Sequence, residues 1–237
     1  DVYLDGVFHP SIYREPKIFK QEGWHYELPS EDAPLTVNGV VYNEMKGAFS
    51  SPESVLERFT SSVLFPDTPY SNESGGDPAV IPNLSYEQFI QFHKDYYHPA
   101  NSYIYLYGDM DMEEKLLWLD KEYLSAYDKN DYNLDSSIAL QKPFSEPVEK
   151  ETVYSVTANE GTEDNTYLSL NTVVGTDIDP VLYVAFQILD YTLISAPGAP
   201  LKQALIDAHI GQDIMGGYEN GILQPYFSVV AKNANKE

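Results

Sequence analysis

The spacing of apolar residues predicts several amphipathic helices along the chain. Leu56, Phe59 and Val63 recur at positions i, i+3 and i+7 behind a Ser51-Pro52 start signal, which predicts a helix through about Leu64. Ser85-Tyr86-Glu87-Gln88 has the form of a capping box, and it predicts a second helix that ends at the residue before Pro99. Further helices are predicted at residues 1–8, 16–28, 43–48, 111–127, 180–194 and 200–210.

Strands are predicted where apolar residues alternate with other residues at a period of two. Ile104 and Leu106 alternate with Tyr103, Tyr105 and Tyr107, which predicts a strand at residues 102–107 that is covered on both faces. Additional strands are predicted at residues 151–157, 165–174 and 223–231. Between residues 128 and 147 the apolar periodicity stops amid Asp, Asn, Ser and Pro, so this stretch is the best candidate for a domain linker.

Composition excludes some classes of partner and site. Lys and Arg total 14 against 37 Asp and Glu, and a formal net charge of −23 repels phosphate backbones, so we expect no nucleic-acid partner. The same charge attracts basic peptides. The chain has no Cys, which excludes thiolate metal sites and fits a cytoplasmic protein, or an organelle-matrix protein in a eukaryote. No apolar run approaches the roughly 20 residues that span a bilayer, so we expect no membrane partner.

The histidines and one glutamate are the candidates for metal chemistry. His93 and His98 are five residues apart, which places their side chains about 140° apart on a helix, whereas a zinc pair needs one face. We therefore predict that His98, with Asn101, fixes the corner after the helix. His25 lies among aromatic residues and is predicted to be a hydrogen-bonded packing residue. Glu44 is either a solvated helix carboxylate or a metal ligand.

Four ordered blocks decide between these two roles of Glu44. They are Gln21-Glu22-Gly23-Trp24-His25-Tyr26-Glu27-Leu28, then Gly39-Val40-Val41-Tyr42-Asn43-Glu44-Met45-Lys46-Gly47, then Ser74-Gly75-Gly76-Asp77-Pro78 with Ile81-Pro82-Asn83-Leu84, and Tyr96-Tyr97-His98-Pro99-Ala100-Asn101. Together they resemble the pitrilysin/insulinase family of zinc metallopeptidases, most closely its presequence-peptidase branch. In that family a Glu and the two His of an upstream His-x-x-Glu-His motif hold zinc.

The resemblance implies an α+β fold in which antiparallel sheets pack against helices. Residues 1–128 would be the C-terminal part of the catalytic domain, 129–147 a linker, and 148–237 the N-terminal part of a second, non-catalytic copy. In that copy the helix with Val184-Ala185-Phe186-Gln187-Ile188 stands where the first copy carries the motif, but it has no His or Glu. The resemblance also implies that Glu44 is the third zinc ligand and that substrates are peptides or unfolded segments enclosed in a chamber.

One departure from the family pattern limits this chain. Neither His-x-x-Glu-His nor His-Glu-x-x-His occurs in its 237 residues, and it opens at Asp1 without a Met. We therefore expect a fragment of a longer enzyme, without a catalytic base of its own, that binds zinc poorly and is inactive without the remaining domains. A non-catalytic peptide-binding or assembly protein of the same fold is the alternative, and a site completed in trans by a paired subunit is a further one.

Overall fold

The structure, a computed structural model, describes residues 2–159 and 161–235. The chain divides into two compact units, and each unit is assembled from two stretches of sequence. Unit 1 comprises Asp1–Gly47 and Gly75–Ser137, and unit 2 comprises Ala48–Ser74 and Ile138–Glu237. The predicted division into 1–128, 129–147 and 148–237 follows family domains rather than compact units, and it stays a prediction.

Two helices of unit 1 begin at the predicted start signals. The capping box forms, because Ser85 Oγ accepts from the Gln88 N–H at 3.2 Å and Gln88 Oε1 accepts from the Ser85 N–H at 2.8 Å. Asp111 Oδ1 likewise accepts from the Glu114 N–H at 3.0 Å. The helices are α1 (Val2–Phe8), α2 (Val40–Ala48), α4 (Tyr86–Tyr96) and α5 (Met112–Glu122).

A short hairpin replaces the second half of the helix predicted at residues 16–28. The chain forms a π-helical turn over Phe19–Gly23, and Trp24 is then extended, with φ −160° and ψ 156°. Strand β1 (His25–Glu27) pairs antiparallel with β2 (Thr36–Asn38). The helix prediction was wrong here because the aromatic residues after Gly23 suit a strand, and cross-strand pairing overrides the local helical spacing.

The strand predicted at residues 102–107 does not form in the described structure, so that prediction was wrong. Ser102 is extended, with φ −131° and ψ 153°, but the segment belongs to no sheet among the described residues. Its tyrosines are exposed instead of covered, and Tyr103 is 105% exposed. The period-two pattern is present, but a strand also needs neighbouring N–H and C=O groups with which to pair.

Unit 2 contains a three-stranded antiparallel sheet in the order β3-β5-β4. The prediction found β3 and most of β5, but it missed β4, because Gly216 and Gly217 in its centre have the appearance of a turn. The strand predicted at 151–157 does not form. The strands are β3 (Thr166–Val173), β4 (Asp213–Glu219) and β5 (Tyr226–Ala234), and the helices are α3 (Pro52–Leu64), α6 (Pro180–Asp190) and α7 (Pro200–Asp207).

Helices cover both faces of this sheet. On one face, the Phe65 ring at the end of α3 lies 6.2 Å from the ring of Tyr226 on β5. On the other face, Phe186 of α6 lies 5.4 Å from Tyr218 and 5.9 Å from Phe227, measured between ring centroids. The predicted fold class is confirmed: the chain is α+β, with antiparallel sheets packed against helices.

One apolar stretch of unit 2, Pro180–Asp207, is long and apolar enough to cross a membrane by length and composition alone, so the expectation that no apolar run approaches that length was wrong. It is not one continuous α-helix. A π-helical turn over Tyr191–Ser195 follows α6, and Ala196 is then extended, with φ −68° and ψ 149°, before α7 begins. Such a break leaves backbone polar groups that hydrocarbon cannot satisfy. The expectation of no membrane partner stays a prediction.

Candidate functional site

Glu44 lies on the exposed side of α2 in unit 1. Its carboxylate has no hydrogen bond or ion pair with any residue that the structure describes. The adjacent Met45 faces inward and is half-buried, while Lys46 Nζ lies 5.6 Å from the ring centroid of Tyr42. Helix α2 therefore presents one unpaired carboxylate to its surroundings.

The start of α2 is held by a side-chain clamp from Asn38. Asn38 Oδ1 accepts from the Gly39 N–H at 2.8 Å and from Asn43 Nδ2 at 2.6 Å. Asn38 Nδ2 in turn donates to Glu27 Oε2 at 2.9 Å. Because the first N–H groups of a helix lack helical partners, this clamp satisfies one of them and ties α2 to the β1–β2 hairpin. The prediction began the helix at Asn43, but it begins at Val40.

Three of the four sequence blocks meet at α2. The backbone of Gly39 lies against the Gly23 carbonyl and Trp24 Cα of the first block. Met45 lies against Gly75 of the third block, and Trp24 Nε1 donates to the Leu84 carbonyl at 2.9 Å. Sequence spacing does not show these contacts. The signal available in the sequence was the recurrence of glycine in each of the three blocks.

His25 and His98 make the hydrogen bonds expected of the roles predicted for them. His25 Nδ1 lies 2.7 Å from the Lys20 carbonyl oxygen and donates to it. His93 Nε2 donates to the Val7 carbonyl at 2.9 Å. His98 Nδ1 accepts from the Ala100 N–H at 3.1 Å and so fixes the corner after α4.

Asn101 is the second residue of this corner. Its Nδ2 donates to the Tyr96 carbonyl at 3.0 Å, and its Oδ1 accepts from Ser136 Oγ at 2.5 Å. Among residues 2–159 and 161–235 no group of three His, Asp or Glu side chains is placed to hold a metal ion. The described residues therefore do not form a complete metal site around Glu44.

A cavity of about 520 Å³ in unit 2 lies between the α6–α7 connection and β4. Ile194 and Ile214 line it, together with an ion pair of 3.0 Å between Lys202 Nζ and Asp213 Oδ1. The hydrogen bond from Lys202 lowers the pKa of Asp213, against the opposing effect of burial. Helix α6 has no His or Glu, as the sequence shows, and Phe186 on it packs on the sheet. Nothing in this region resembles a catalytic set.

Several known proteins are similar to this chain in sequence or in structure. Over its whole length the chain is 48% identical to Protein HypA of Clostridium perfringens and 38% identical to presequence protease 1, chloroplastic/mitochondrial, of Arabidopsis thaliana. It spans 24% and 22% of the lengths of those two relatives. A crystal structure of a protease from Helicobacter pylori superposes with a TM-score of 0.52 at 18% identity, over 83% of this chain and 46% of that one, which supports the fold alone.

A family model described as "Peptidase M16 inactive domain" matches residues 83–236, which is more than half of the chain. This match and the presequence proteases among the relatives confirm the resemblance drawn from the four sequence blocks. The chain belongs to the M16 peptidase family.

Proposed function

We propose that the complete protein containing this chain is a zinc-dependent endopeptidase, and that Glu44 is its third zinc ligand. The observation that carries the proposal is the free carboxylate of Glu44 on α2, the helix at which three blocks resembling presequence peptidases meet. The identities of 48% and 38% to long relatives, the second of them named a presequence protease, support it.

The donor chemistry of Glu44 fits one position of a zinc site. Carboxylate oxygens ligate zinc at about 2.0–2.2 Å, and a free, exposed carboxylate has no bond to give up on binding. Among the described residues, no group of three His, Asp or Glu side chains is placed to hold the ion with it. The proposal therefore includes two further ligands from outside this chain, and it treats residues 1–237 alone as inactive.

Zinc, when bound, polarises a scissile carbonyl and lowers the pKa of its water to around 7. In this proposal, the role of Glu44 is to bind the metal and not to transfer a proton. Its removal is expected to weaken metal binding first and peptide hydrolysis as a consequence, because catalytic zinc sites rest on three protein ligands.

The proposed substrates are peptides or unfolded segments enclosed in a chamber formed with the remaining domains. Charge favours basic peptides, since the chain carries a formal net charge of −23. The name presequence protease among the relatives points to the same class of substrate. We propose a cytoplasmic or organelle-matrix location, and neither nucleic acid nor a membrane as partner.

A non-catalytic peptide-binding protein is the second candidate. The description of the family model as an inactive domain favours it. In that case Glu44 would be a solvated helix residue with no metal to hold.

Zinc stoichiometry of the complete protein tests the two candidates. We expect about one zinc per wild-type molecule by atomic emission, and loss of zinc together with peptide hydrolysis in Glu44→Gln. Glu113→Gln is the matched control, because Glu113 is an exposed helix carboxylate of the same unit. Wild-type protein without zinc, or a Glu44→Gln variant that retains zinc as tightly as wild type, would refute the peptidase proposal and favour peptide binding without catalysis.

A further inference from the structure

The turn from β2 into α2 is made by Gly39 in a conformation that other residues avoid. Its φ is +154°, and a Cβ at this position would lie 2.2 Å from the Gly23 carbonyl oxygen and 2.7 Å from Trp24 Cα. Both are backbone atoms, so no side-chain rotation relieves the clash. The close approach of these two backbones therefore requires glycine.

The surface against which Gly39 lies is itself anchored. Gly23 is the last residue of the π-helical turn, and the next residue, Trp24, donates from Nε1 to the Leu84 carbonyl at 2.9 Å. His25 donates to the Lys20 carbonyl at 2.7 Å and pairs with Asn38 in the hairpin. A side chain at position 39 would therefore displace the start of α2 more readily than the anchored segment.

We propose that Gly39 is a positioning residue that sets where α2 presents Glu44, an inference that rests on the proposed role of Glu44 as a zinc ligand. Glu44 follows Gly39 by five residues, about 7.5 Å along the helix axis. A Cβ would have to withdraw from 2.2 Å to at least 3.0 Å from the Gly23 oxygen. That movement exceeds the roughly 0.5 Å within which functional groups must be held.

Two other glycines near Glu44 differ in a way that makes the proposal specific. A Cβ at Gly47, on the same helix, would meet no atom of the described residues within 4 Å. A Cβ at Gly75 would lie 2.4 Å from Met45 Sδ, the far end of a flexible side chain that can move aside. Of these three glycines, only Gly39 has backbone opposed to backbone.

The experiment compares Gly39→Ala with Gly47→Ala in the complete protein. Zinc affinity is measured by competition with a chromophoric chelator, and the visible spectrum of the Co²⁺-substituted protein reports ligand geometry. Gly39→Ala is expected to lower zinc affinity about 10- to 100-fold and to alter the cobalt spectrum, an effect comparable to losing a residue that orients a ligand. Gly47→Ala is expected to change neither, because alanine is favoured over glycine in a helix.

Wild-type zinc affinity in a folded Gly39→Ala protein, or equal losses in both glycine variants, would overturn the proposal. If Gly39→Ala does not fold, Asn38→Ala decides by the same two measurements, because it removes the hydrogen bonds to Gly39 and Asn43 without a clash. Weaker binding and an altered spectrum in Asn38→Ala support the proposal, and unchanged values overturn it.

The Glu44→Gln variant separates the hypothesis that Glu44 is a zinc ligand from the hypothesis that Gly39 positions it. Zinc lost in Glu44→Gln but kept in Gly39→Ala would refute only the positioning role. Zinc kept in Glu44→Gln would refute the ligand role on which the positioning role rests.

Discussion

The two units differ in how far each encloses its own apolar side chains. Unit 2 places helices on both faces of a three-stranded sheet, while the only described pairing of strands in unit 1 is a hairpin of two three-residue strands. The buried apolar residues described in unit 2 are Phe65, Ile194, Ala199, Ile214, Tyr226, Val230, Ala231 and Ala234, against Phe8, Ile81, Leu119 and Tyr123 in unit 1. Stability in unit 2 therefore rests on a sheet core, because apolar burial is the dominant favourable term in folding.

In unit 1, polar side-chain contacts connect elements that are far apart in the sequence. His93 connects α4 to α1 by donating from Nε2 to the Val7 carbonyl. Its Nδ1 accepts a hydrogen bond of 2.7 Å from the hydroxyl of Tyr13. The candidate ligand Glu44 stands in this less enclosed unit, on a helix oriented by a hydrogen-bonded clamp and a glycine contact. The comparison predicts that the candidate site and the main core are separable: we expect substitutions in the core of unit 2 to change stability, and substitutions around α2 to change the position of the Glu44 carboxylate.

The largest effect on stability is expected for Phe65→Ala in unit 2. Phe65 is 0% exposed and lies between the rings of Tyr70 and Tyr226. Removing the ring leaves a cavity, which typically costs about 3–5 kcal/mol. Urea unfolding of the chain, followed by far-ultraviolet circular dichroism, measures the loss.

The control for Phe65→Ala is Phe92→Ala in unit 1, where the side chain is 59% exposed. That substitution is expected to cost less than about 1 kcal/mol, because little apolar area returns to water. Equal losses in the two variants would contradict the contrast between an enclosed sheet core and a more open helical unit.

An intermediate effect is expected for Gln141→Ala, also in unit 2. Gln141 is buried, and its Oε1 accepts from the Asp67 N–H at 2.9 Å while its Nε2 donates to Asp67 Oδ2 at 2.8 Å. Its own backbone N–H donates to Gln224 Oε1 at 2.6 Å. Truncation removes two hydrogen bonds between this buried side chain and Asp67, at a total cost of about 1–3 kcal/mol, since one hydrogen bond contributes about 0.5–1.5 kcal/mol.

Limited proteolysis adds a local measurement for Gln141→Ala. Cleavage within residues 138–147 is expected to be faster in the variant, because this side chain ties the segment to unit 2. Lys142→Ala, at the exposed neighbouring position, is expected to leave both the unfolding midpoint and the cleavage rate unchanged. An unchanged cleavage rate in Gln141→Ala would show that other contacts hold the segment.

The sequence predicted best those elements whose signals are local. The capping box at Ser85, the Ser51-Pro52 start of α3 and the alternation in β3 all appear in the structure where they were expected. Each depends on residues within one turn or one strand. Predictions from such signals succeed because the groups that form the hydrogen bonds and contacts are neighbours along the chain.

Predictions failed where a distant partner decides the outcome. Tyr103–Tyr107 has the pattern of a strand but no described partner, and β4 pairs with β5 in spite of two central glycines. The site shows the same division. Glu44 is proposed as a ligand from its sequence block, but the contact of Gly39 with Gly23 joins residues that no periodicity connects. Close backbone approach depends on the tertiary fold, so a glycine in the sequence indicates it without naming its partner.

The smallest effect is expected for the ion pair that joins α3 to the sheet of unit 2. Glu53 Oε1 accepts from Lys232 Nζ and, at 2.9 Å, from the hydroxyl of Tyr167. The hydrogen bond from Lys232 lowers the pKa of Glu53 from its ordinary value of 4.5. Because the pKa is depressed in the folded state, the stabilisation is present above about pH 4.5 and is lost as pH falls through the folded value.

Exposure limits the size of this effect. The side chains of Lys232 and Glu53 are 37% and 36% exposed, and pairs open to solvent contribute only about 0.2–1 kcal/mol. Protonating other carboxylates also changes stability between pH 7 and pH 3, in a chain with 37 acidic residues, so wild type alone cannot isolate the pair. Glu53→Gln is therefore expected to show a smaller loss of urea midpoint between the two pH values than wild type or Glu163→Gln, whose carboxylate lies in an exposed loop. Identical losses in Glu53→Gln and wild type would mean that α3 is held by Phe65 and its ring contacts, without a measurable contribution from the ion pair.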